Sequence, residues 1–408
     1  MQAYLSENTL LTNVQFGFRK GKGTENAVHS VVEYMHQSFD ENKFAIGIFL
    51  DVKKAFNSLD RNILLEKLKY YGISGNEWNW FRSYLSNRRQ LTVYENFNSD
   101  LKNVNFGVPQ GGIISPILFL IYVNDIVNCC KESNCVLYAD DTSIYTSSPN
   151  INELFEKANQ SLAKFKCWFD SNKLTLNAKK THYVLFHRKQ RKVPINDCKL
   201  YVSSIEVKKV VDTKFLGVVL DCNLSWSHHI LNLSRKLAKF APIIYRVRKL
   251  CTHKSLKLIY NCLIYSNLVY CNSVWGHCKN VALKPLLTMH KRIIRSIAGV
   301  NISHPTHELF QRFSFLTLPN INLYMVGIFM YKCSQNEEYV SWFRQSENVR
   351  STRSTEQNLM HVPQIHTEHS KQCIKYRGPT VWNDISLNIR IKSYDTFKVT
   401  FKSSLLSS

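Results

Sequence analysis

The sequence predicts an α+β fold in which a strand-containing half precedes a helical half. The run FAIGIFLD at 44–51 is continuously apolar and ends in a carboxylate, which is typical of a buried strand. The segment NCVLYADDTSIYTS at 134–147 has the pattern of two short strands joined by an acidic turn. From about residue 226 to about 333, apolar residues recur at helical spacing. The 408 residues are enough for two or three domains.

Local signals predict where individual helices begin and end. In LDRNILLEKLKYYG (59–72), Asp60 is placed to cap a helix and Gly72 to stop it. Ser74 and Glu77 have the spacing of a capping box for the next helix. The same patterns predict further helices at 116–126 and 153–174, and further strands at 88–95, 182–187 and 214–221.

The charge of the chain points to a polyanionic partner. Lys and Arg number 53 and Asp and Glu 30, so the formal net charge is +23. This favours nucleic acid over an anionic membrane, and the alternative is a generally basic, soluble surface. Because 44% of residues are apolar and 12% aromatic, a wholly disordered chain is excluded.

Cysteine spacing and apolar run length exclude other classes. The 12 cysteines include no CxxC pair, and we expect reduced thiols in an intracellular protein. The longest apolar stretch, IISPILFLIYV (113–123), is too short to span a bilayer, so no membrane partner is expected.

The central chemical feature is a set of carboxylates at predicted strand ends. Asp51 closes the first strand, and Asp140 and Asp141 occupy the tip of the predicted hairpin. If the hairpin lies beside the first strand, three carboxylates converge, and like charges so close require cations. Hard divalent ions that prefer oxygen, chiefly Mg²⁺, meet this need. The alternative is that these residues are ordinary turn formers or helix caps.

An ordered set of motifs resembles the reverse transcriptase of non-LTR (LINE-type, jockey-like) retrotransposons. The motifs follow one another along nearly the whole chain, and the ordered set is specific where no single member is. They are QFGFRKGKGTENAV (15–28), FLDVKKAFNSLDRNILLEKLKYYGI (49–73), WFRSYLSNRRQ (80–90), GVPQGGIISPILFLIYVNDI (107–126), LYADDTSIY (137–145), WFDSNKLTLNAKKTHYVLF (168–186) and KFLGVVLDCNLSW (214–226), with weaker matches at 265–276, 290–299 and 378–385.

The resemblance implies a right-hand polymerase that copies RNA into DNA. The palm with partial fingers is expected at 1–225, a helical thumb-like region at 226–333, a polar linker at 334–370 and a small C-terminal segment at 371–408. The implied reaction adds dNTPs to the 3′-hydroxyl of a DNA primer on an RNA template. Two Mg²⁺ ions are the implied cofactors, with Mn²⁺ as a substitute.

The resemblance also assigns the reaction chemistry to particular positions. Asp51, Asp140 and Asp141 match the metal-binding aspartates of the family, and the carbonyl of Val52 adds an oxygen ligand. Lys180 matches a lysine placed near the leaving pyrophosphate, where a cation neutralises charge or donates a proton. The alternative for Lys180 is a solvated loop lysine.

A nucleotide pocket is implied by two further motifs. Phe56 matches a bulky ring that lies under the sugar and excludes a 2′-hydroxyl. Pro109, Gln110 and Gly111 match the turn that frames the incoming nucleotide and the template base. The alternatives are a core phenylalanine and an ordinary Gly-Pro loop.

Primer and template contacts are implied on both sides of residue 225. Arg19 matches a template contact, and Phe215, Leu216 and Gly217 match a hairpin that grips the primer. Arg235 and Lys239 belong to a basic helical stretch that resembles the thumb and would follow the duplex through its phosphates. The alternatives are a core strand at 215–217 and a helix with a basic outer face.

Several departures from the family pattern are visible. Asn57, Gly112 and Gly23 stand where the family usually has Asp, Ser and Ser. Because the chain starts just before the QFGFR motif, we expect an N-terminally truncated copy without the upstream fingers or the endonuclease domain. A separate endonuclease domain or protein is the partner expected in that case. The alternatives are a catalytically inactive remnant that only binds nucleic acid and, less favoured, a palm-fold nucleotidyl cyclase. Location in the nucleus, the cytoplasm or both is expected only from the family's copying into a chromosomal nick.

Overall fold

The computed structural model describes residues 1–130, 132–194, 198–336, 342–343, 359–365 and 370–407. Backbone contacts divide the chain into two units, the first formed by residues 1–27 and 42–211 and the second by 28–41 and 212–408. The division therefore falls at 211–212 rather than at the predicted boundary of 225, and it assigns 28–41 to the second unit. Most of the predicted linker at 334–370 lies outside the described residues.

The first unit is built around a five-stranded sheet. Its described strands are β1 (Phe44–Leu50), β2 (Arg89–Gln90), β3 (Val93–Tyr94), β4 (Phe97–Asn98), β5 (Lys102–Asn103), β6 (Asn134–Tyr138), β7 (Asp141–Ser148), β8 (His182–Phe186), β9 (Tyr201–Val202), β10 (Ile205–Glu206) and β11 (Lys208–Val210). The sheet order is β11-β8-β1-β7-β6, antiparallel except for the parallel β11–β8 pair. The first predicted strand and the predicted hairpin are thus confirmed as neighbours.

The first unit also contains helices, some of which cover one face of this sheet. They are α1 (Gln2–Glu7), α2 (Thr24–Asp40, shared with the second unit), α3 (Ala55–Ser58), α4 (Arg61–Tyr70), α5 (Gly75–Leu85), α6 (Ser115–Val123) and α7 (Ile151–Ser171), with a 3₁₀ turn at Asn124–Cys129. Alternate side chains of β1, Phe44, Ile46, Ile48 and Leu50, join a buried apolar cluster with residues of α4, α6 and α7. Strand alternation explains why every second residue of β1 faces these helices.

The predicted helix ends differ in how they form. The carboxylate of Asp60 accepts hydrogen bonds from the backbone N–H groups of Asn62 (2.9 Å) and Ile63 (3.1 Å), so the predicted cap is confirmed. Ser74 precedes α5 as predicted, but its side chain makes no capping hydrogen bond, so the capping-box prediction is wrong in that detail. Gly75 has a positive φ of 62° directly after Ser74.

Two predicted strands are divided in the structure. Residues 88–95 do not form one strand, because β2 pairs with β5 while β3 pairs with β4. All four residues of β2 and β3 are exposed, so neither face of this alternating segment packs against a core that would hold it as one strand. Residues 214–221 contribute to a hairpin, β12 (Asp212–Phe215) and β13 (Val218–Asp221), which belongs to the second unit.

The second unit is helical after this hairpin, as predicted. Its described helices are α8 (Ser227–Ala238), α9 (Phe240–Val247), α10 (His253–Tyr260), α11 (Ser266–Val269), α12 (Asn272–Trp275), α13 (Asn280–Ala298), α14 (His307–Phe313), α15 (Leu318–Ser334), α16 (Ile374–Asp384), α17 (Leu387–Arg390) and α18 (Tyr394–Ser407), with a π-helical turn at Asn261–Tyr265 and a 3₁₀ turn at Ser370–Gln372. Phe329, Met330, Trp382, Phe397 and Phe401 share one buried cluster. The C-terminal segment therefore packs on α15.

Cysteines and apolar helices complete the fold. All twelve cysteines are free thiols. Among the described residues, no single helix has the length and apolar character needed to cross a membrane. The pair α14 and α15, with a bend of 47° between them, meets both criteria when taken together.

Candidate functional site

Strand register brings the predicted carboxylates to one edge of the sheet. Leu50, the last residue of β1, pairs with Thr142 of β7. Asp51 directly follows Leu50 and Asp141 directly precedes Thr142, so both lie at the same end of this strand pair. Asp140 lies in the turn between β6 and β7, immediately before Asp141.

The electrostatics of this acidic edge, defined as Asp51, Asp140 and Asp141, indicate uncompensated negative charge. Burial raises the pKa of the Asp141 carboxyl, and the charges of Asp140 and Asp51 raise it further. Within the described part of the chain, none of the three carboxylates forms an ion pair with a lysine, arginine or histidine. A nearby cation would therefore stabilise the ionised form of Asp141.

The loop before β8 holds Asp51 in place. The side chain of Asn177 donates a hydrogen bond to Asp51 Oδ2 at 2.8 Å, and its backbone N–H donates to the Asp51 carbonyl at 2.8 Å. Val52 bridges antiparallel to Leu176, flanked by a bond from the Lys53 N–H to the Thr175 carbonyl (2.9 Å). The carbonyls of Asp51 and Thr175 accept these two backbone hydrogen bonds, and the Val52 carbonyl accepts neither of them.

Lys180 belongs to the same loop. Its backbone N–H donates to the carbonyl of Asn177 at 3.0 Å, and its side chain is exposed. The structure thus brings the loop that carries Lys180 to the acidic edge, without an ion pair between Lys180 and the carboxylates.

The two motifs predicted for nucleotide contact are joined by their backbones. The N–H of Gly107 donates to the Leu59 carbonyl at 2.8 Å, and the N–H of Val108 donates to the Phe56 carbonyl at 3.1 Å. Gly107 has a φ of 77°, and a Cβ there would lie 2.7 Å from the Phe56 oxygen and the Asn57 Cα. The contact between loop and helix α3 therefore requires glycine.

Side chains of these two motifs are presented differently. The Phe56 ring is half-buried and stacks on Phe119, with centroids 4.4 Å apart. Gln110 and Gly111 are exposed in the turn that precedes α6, and Pro109 is half-buried. The packing of Phe56 agrees with the core interpretation, and its exposed part leaves the nucleotide interpretation open.

One residue that supports this loop was missed by the sequence reasoning. Arg61 donates hydrogen bonds to the carbonyls of Val104 (2.6 Å), Gly107 (3.0 Å) and Phe106 (3.1 Å). Arg61 is the first residue of α4, and no local pattern links it to a loop more than forty residues away. Asn177 was also missed, although it lies in the LNAKKT motif that indicated Lys180.

The residues predicted to contact primer and template are divided between the two units. Arg19 donates to the backbone carbonyl of Thr12 at 2.6 Å, which ties down the N-terminal loop. Phe215, Leu216, Gly217, Arg235 and Lys239 all belong to the second unit.

In the second unit, the predicted primer motif forms a tight hairpin turn. Leu216 and Gly217 have positive φ values of 45° and 85° between β12 and β13, and Phe215 is buried. The hydroxyl of Tyr270 donates to the Leu216 carbonyl at 2.7 Å. Arg235 and Lys239 are exposed at the end of α8, four residues apart on one helical face.

The donor set of the acidic edge fits a divalent metal ion in its chemistry. It consists of hard oxygen ligands, and burial together with the charges of Asp140 and Asp51 raises the pKa of Asp141. No group of three His, Cys, Asp or Glu side chains in the described ranges is arranged to hold a metal ion as it stands. The carboxylates therefore interact across the edge without being drawn into one coordination sphere.

The acidic edge lies in the part of the chain that a known protein family matches. The chain belongs to the reverse transcriptase (RNA-dependent DNA polymerase) family, whose family model matches residues 1–220. The resemblance inferred from the ordered motifs is confirmed.

Relatives of known name point to the same branch of the family. The chain is 27% identical over 299 residues to the probable RNA-directed DNA polymerase from transposon X-element of Drosophila melanogaster. It is 27% identical over 297 residues to the RNA-directed DNA polymerase from mobile element jockey of Drosophila funebris. Each alignment covers 70% of this chain and 32% of the relative, so the chain spans about a third of the length of these relatives.

Among solved structures, apo telomerase from Candida tropicalis is similar with a TM-score of 0.39 and 12% sequence identity. That alignment covers 85% of this chain and 59% of the telomerase chain. A similarity at this level does not bear on the reaction.

Proposed function

We propose that this chain is the polymerase part of a non-LTR retrotransposon protein and copies RNA into DNA. The observation that carries the proposal is the acidic edge, where Asp51 follows β1, Asp140 and Asp141 lie at the start of the neighbouring β7, and no cationic side chain of the described residues pairs with them. The family of the chain and the names of its relatives support the same reaction. The substrates are an RNA template, a DNA primer and dNTPs.

Asp51, Asp140, Asp141 and the carbonyl of Val52 are the proposed ligands of two Mg²⁺ ions, for which Mn²⁺ can substitute. When bound, such ions activate the primer hydroxyl and stabilise the charge on the leaving pyrophosphate. Asn177 orients Asp51 through its hydrogen bond to Oδ2. Lys180, exposed in the adjoining loop, is proposed to neutralise charge on the pyrophosphate.

The nucleotide is proposed to bind beside Phe56 and the turn of Pro109, Gln110 and Gly111. Stacking on Phe119 holds the Phe56 ring rigid, so that a ring against the sugar would exclude a 2′-hydroxyl sterically. The exposed Gln110 amide can donate and accept hydrogen bonds. Backbone hydrogen bonds join the two motifs that would line the proposed pocket.

The finer description of the fold belongs to the same proposal. Palm and partial fingers correspond to the strand-containing part, and the thumb corresponds to the helices from α8 onward. Arg19, Phe215, Leu216, Gly217, Arg235 and Lys239 are the proposed primer and template contacts. An endonuclease from another domain or protein, and location in the nucleus, the cytoplasm or both, stay predictions.

Primer extension on an RNA template tests the proposed reaction. With Mg²⁺ and dNTPs the protein should extend a DNA primer, and Asp141→Asn should lower the rate at least about 10³-fold, in line with loss of a ligand that stabilises the transition state. Asp100→Asn removes an exposed carboxylate outside the acidic edge and should leave the rate unchanged. Extension that is equal in the parent and Asp141→Asn contradicts the proposal.

A second candidate function is nucleic-acid binding without catalysis. It is favoured by the absence, within the described residues, of three side chains already arranged around a metal position. This candidate predicts binding of RNA or DNA with no dNTP incorporation by any variant. The same extension assay separates the two functions.

A further inference from the structure

The QFGF motif lies directly against the acidic turn. The N–H of Phe16 donates to the Leu137 carbonyl at 2.8 Å, and the N–H of Leu137 donates to the Val14 carbonyl at 2.9 Å. Gln15 thereby forms a parallel bridge with Leu137, two residues before Ala139. Residues 14–16 therefore extend the sheet beside β6.

The side chain of Gln15 reaches the turn itself. Gln15 is 1% exposed, and its Oε1 accepts hydrogen bonds from the N–H groups of Gly17 (2.8 Å) and Ala139 (3.2 Å). Because both partners are donors, the amide oxygen must face them. Gln15 and Ala139 lie 124 residues apart in the sequence.

Ala139 needs such support because of its backbone conformation. Its φ of 54° lies in the left-handed region, which is unfavourable for a residue with a Cβ. The following residues are Asp140 and Asp141, so the direction of both carboxylates depends on this turn. A hydrogen bond to the Ala139 N–H opposes relaxation of the strained residue.

Gly17 allows the close approach of the motif to the turn. A Cβ on Gly17 would lie 2.4 Å from the Ala139 nitrogen and 3.1 Å from its Cα, both backbone atoms that cannot rotate away. Gly23, in the same motif, would carry a Cβ with its nearest neighbour, the Asn26 side-chain oxygen, at 3.8 Å. Gly23 can therefore serve as the control for Gly17, since an added Cβ is tolerated at Gly23 and clashes at Gly17.

We propose that Gln15 and Gly17 are positioning residues that hold the Ala139 turn so that Asp140 and Asp141 face Asp51. Asp51 is held independently by Asn177, so a shift of the turn changes the spacing of the carboxylates. This inference rests on the proposed function, since it assumes that the acidic edge binds a divalent ion. The sequence reasoning assigned a role in this motif only to Arg19.

Binding of Mn²⁺ alone, measured by loss of the free-ion electron paramagnetic resonance signal, tests the inference. Gln15→Met, which keeps the side-chain length without the acceptor, and Gly17→Ala should each weaken Mn²⁺ binding about tenfold or more. Gly23→Ala should bind as the parent does. Ala139→Gly added to Gln15→Met should restore part of the lost affinity, because glycine adopts a positive φ freely. Restoration of this kind is not expected if Gln15 serves folding alone.

Further outcomes separate this inference from the proposed function. Parent-like affinity in Gln15→Met and Gly17→Ala overturns the inference, and so does equal weakening by Gly17→Ala and Gly23→Ala. If Asp141→Asn binds Mn²⁺ as tightly as the parent, the proposed metal site itself fails. Circular dichroism at the assay temperature verifies that each variant is folded, and in primer extension the folded Gln15→Met protein should lose kcat more than dNTP affinity.

Discussion

At the scale of single residues, the acidic edge carries negative charge that no cationic side chain of the described part of the chain pairs with. Burial and the neighbouring Asp140 and Asp51 all disfavour the ionised form of Asp141. Proteins usually pair such charges, as Lys173 pairs with the buried Asp60 at 2.6 Å. The acidic edge, which has no such ion pair among the described residues, therefore supports the proposed site for a divalent ion.

The disfavoured charge of Asp141 predicts that the effect of Asp141→Asn on stability differs between metal-free buffer and buffer with Mg²⁺. In metal-free buffer at neutral pH, Asp141→Asn should raise the unfolding midpoint by about 1–3 °C, because it removes a disfavoured charge. With saturating Mg²⁺ the parent should gain stability and Asp141→Asn should gain less. Differential scanning calorimetry with and without Mg²⁺ measures both. A lower midpoint for Asp141→Asn in metal-free buffer would contradict the argument.

Glu33 of α2 predicts a pH dependence of stability. Burial raises the pKa of its carboxyl from 4.5 to about 7, against the opposing charge of Lys375 and a hydrogen bond from the Ile374 N–H. The folded state holds the Glu33 proton more tightly than the unfolded state does. The stability gained from this protonated carboxyl is therefore complete below pH 4.5 and is lost as the pH rises through about 7.

Glu33→Gln should therefore stabilise the protein by about 1–3 kcal/mol at pH 8 relative to its effect at pH 5. Urea unfolding of the parent and variant at both pH values measures the difference. Glu7→Gln, which removes an exposed carboxylate, should show no such dependence. An equal effect of Glu33→Gln at the two pH values would exclude this assignment.

At the scale of elements, short backbone contacts join motifs that are distant in the sequence. The turn at Ala139 contacts the 14–17 segment, the residues after β1 bridge to the loop before β8, and the loop at 107–108 bonds to α3. Each junction relies on main-chain groups, and two of them require a glycine. The geometry of the site thus depends on close backbone approach as well as on the acidic side chains.

Comparing Gly107 with Gly111 distinguishes two reasons for a glycine: close packing against backbone atoms and a positive φ. Both have positive φ, at 77° and 79°, but only Gly107 would place a Cβ against backbone atoms, since Gly111 has no atom within 4 Å. Gly107→Ala should therefore destabilise the protein by about 1–3 kcal/mol more than Gly111→Ala. Chemical denaturation of the two variants provides the comparison, and equal losses would contradict a steric role for Gly107.

Elements with local signals were predictable from the sequence, and contacts between distant segments were not. The apolar run of β1, the acidic hairpin and the Asp60 cap each depend on a few neighbouring residues. The contacts of Arg61 with the 104–107 loop and of Gln15 with Ala139 arise only on folding. Residues 28–41 likewise belong to the second unit through tertiary contacts, and no change in the composition of the sequence indicates this.

At the scale of the whole molecule, positive charge predominates at +23, and it accompanies family membership in the reverse transcriptases. A polyanion that binds such a protein releases counterions, so its affinity falls with salt. The acidic edge contributes a small part of the total charge. Binding of nucleic acid and the reaction at the carboxylates should therefore respond to different changes.

Salt dependence tests this separation. The logarithm of the affinity for an RNA–DNA duplex should fall with the logarithm of the KCl concentration with a slope of about −3 or steeper. Arg235→Gln and Lys239→Gln should each reduce the slope by about one, and Asp141→Asn should leave it unchanged. Lys208→Gln, an exposed charge removed from the first unit, is the control. Fluorescence anisotropy provides the affinities, and an unchanged slope in both α8 variants would contradict their proposed role.

Anomalous diffraction from crystals soaked in Mn²⁺ would show whether the acidic edge binds a divalent ion. We expect a peak at about 2.0–2.2 Å from carboxylate oxygens of both Asp51 and Asp141, which is the bond length of a small divalent ion. The same crystals of Asp141→Asn should lack the peak. An acidic edge without any peak at saturating Mn²⁺, with these carboxylates free of lattice contacts, would contradict the account.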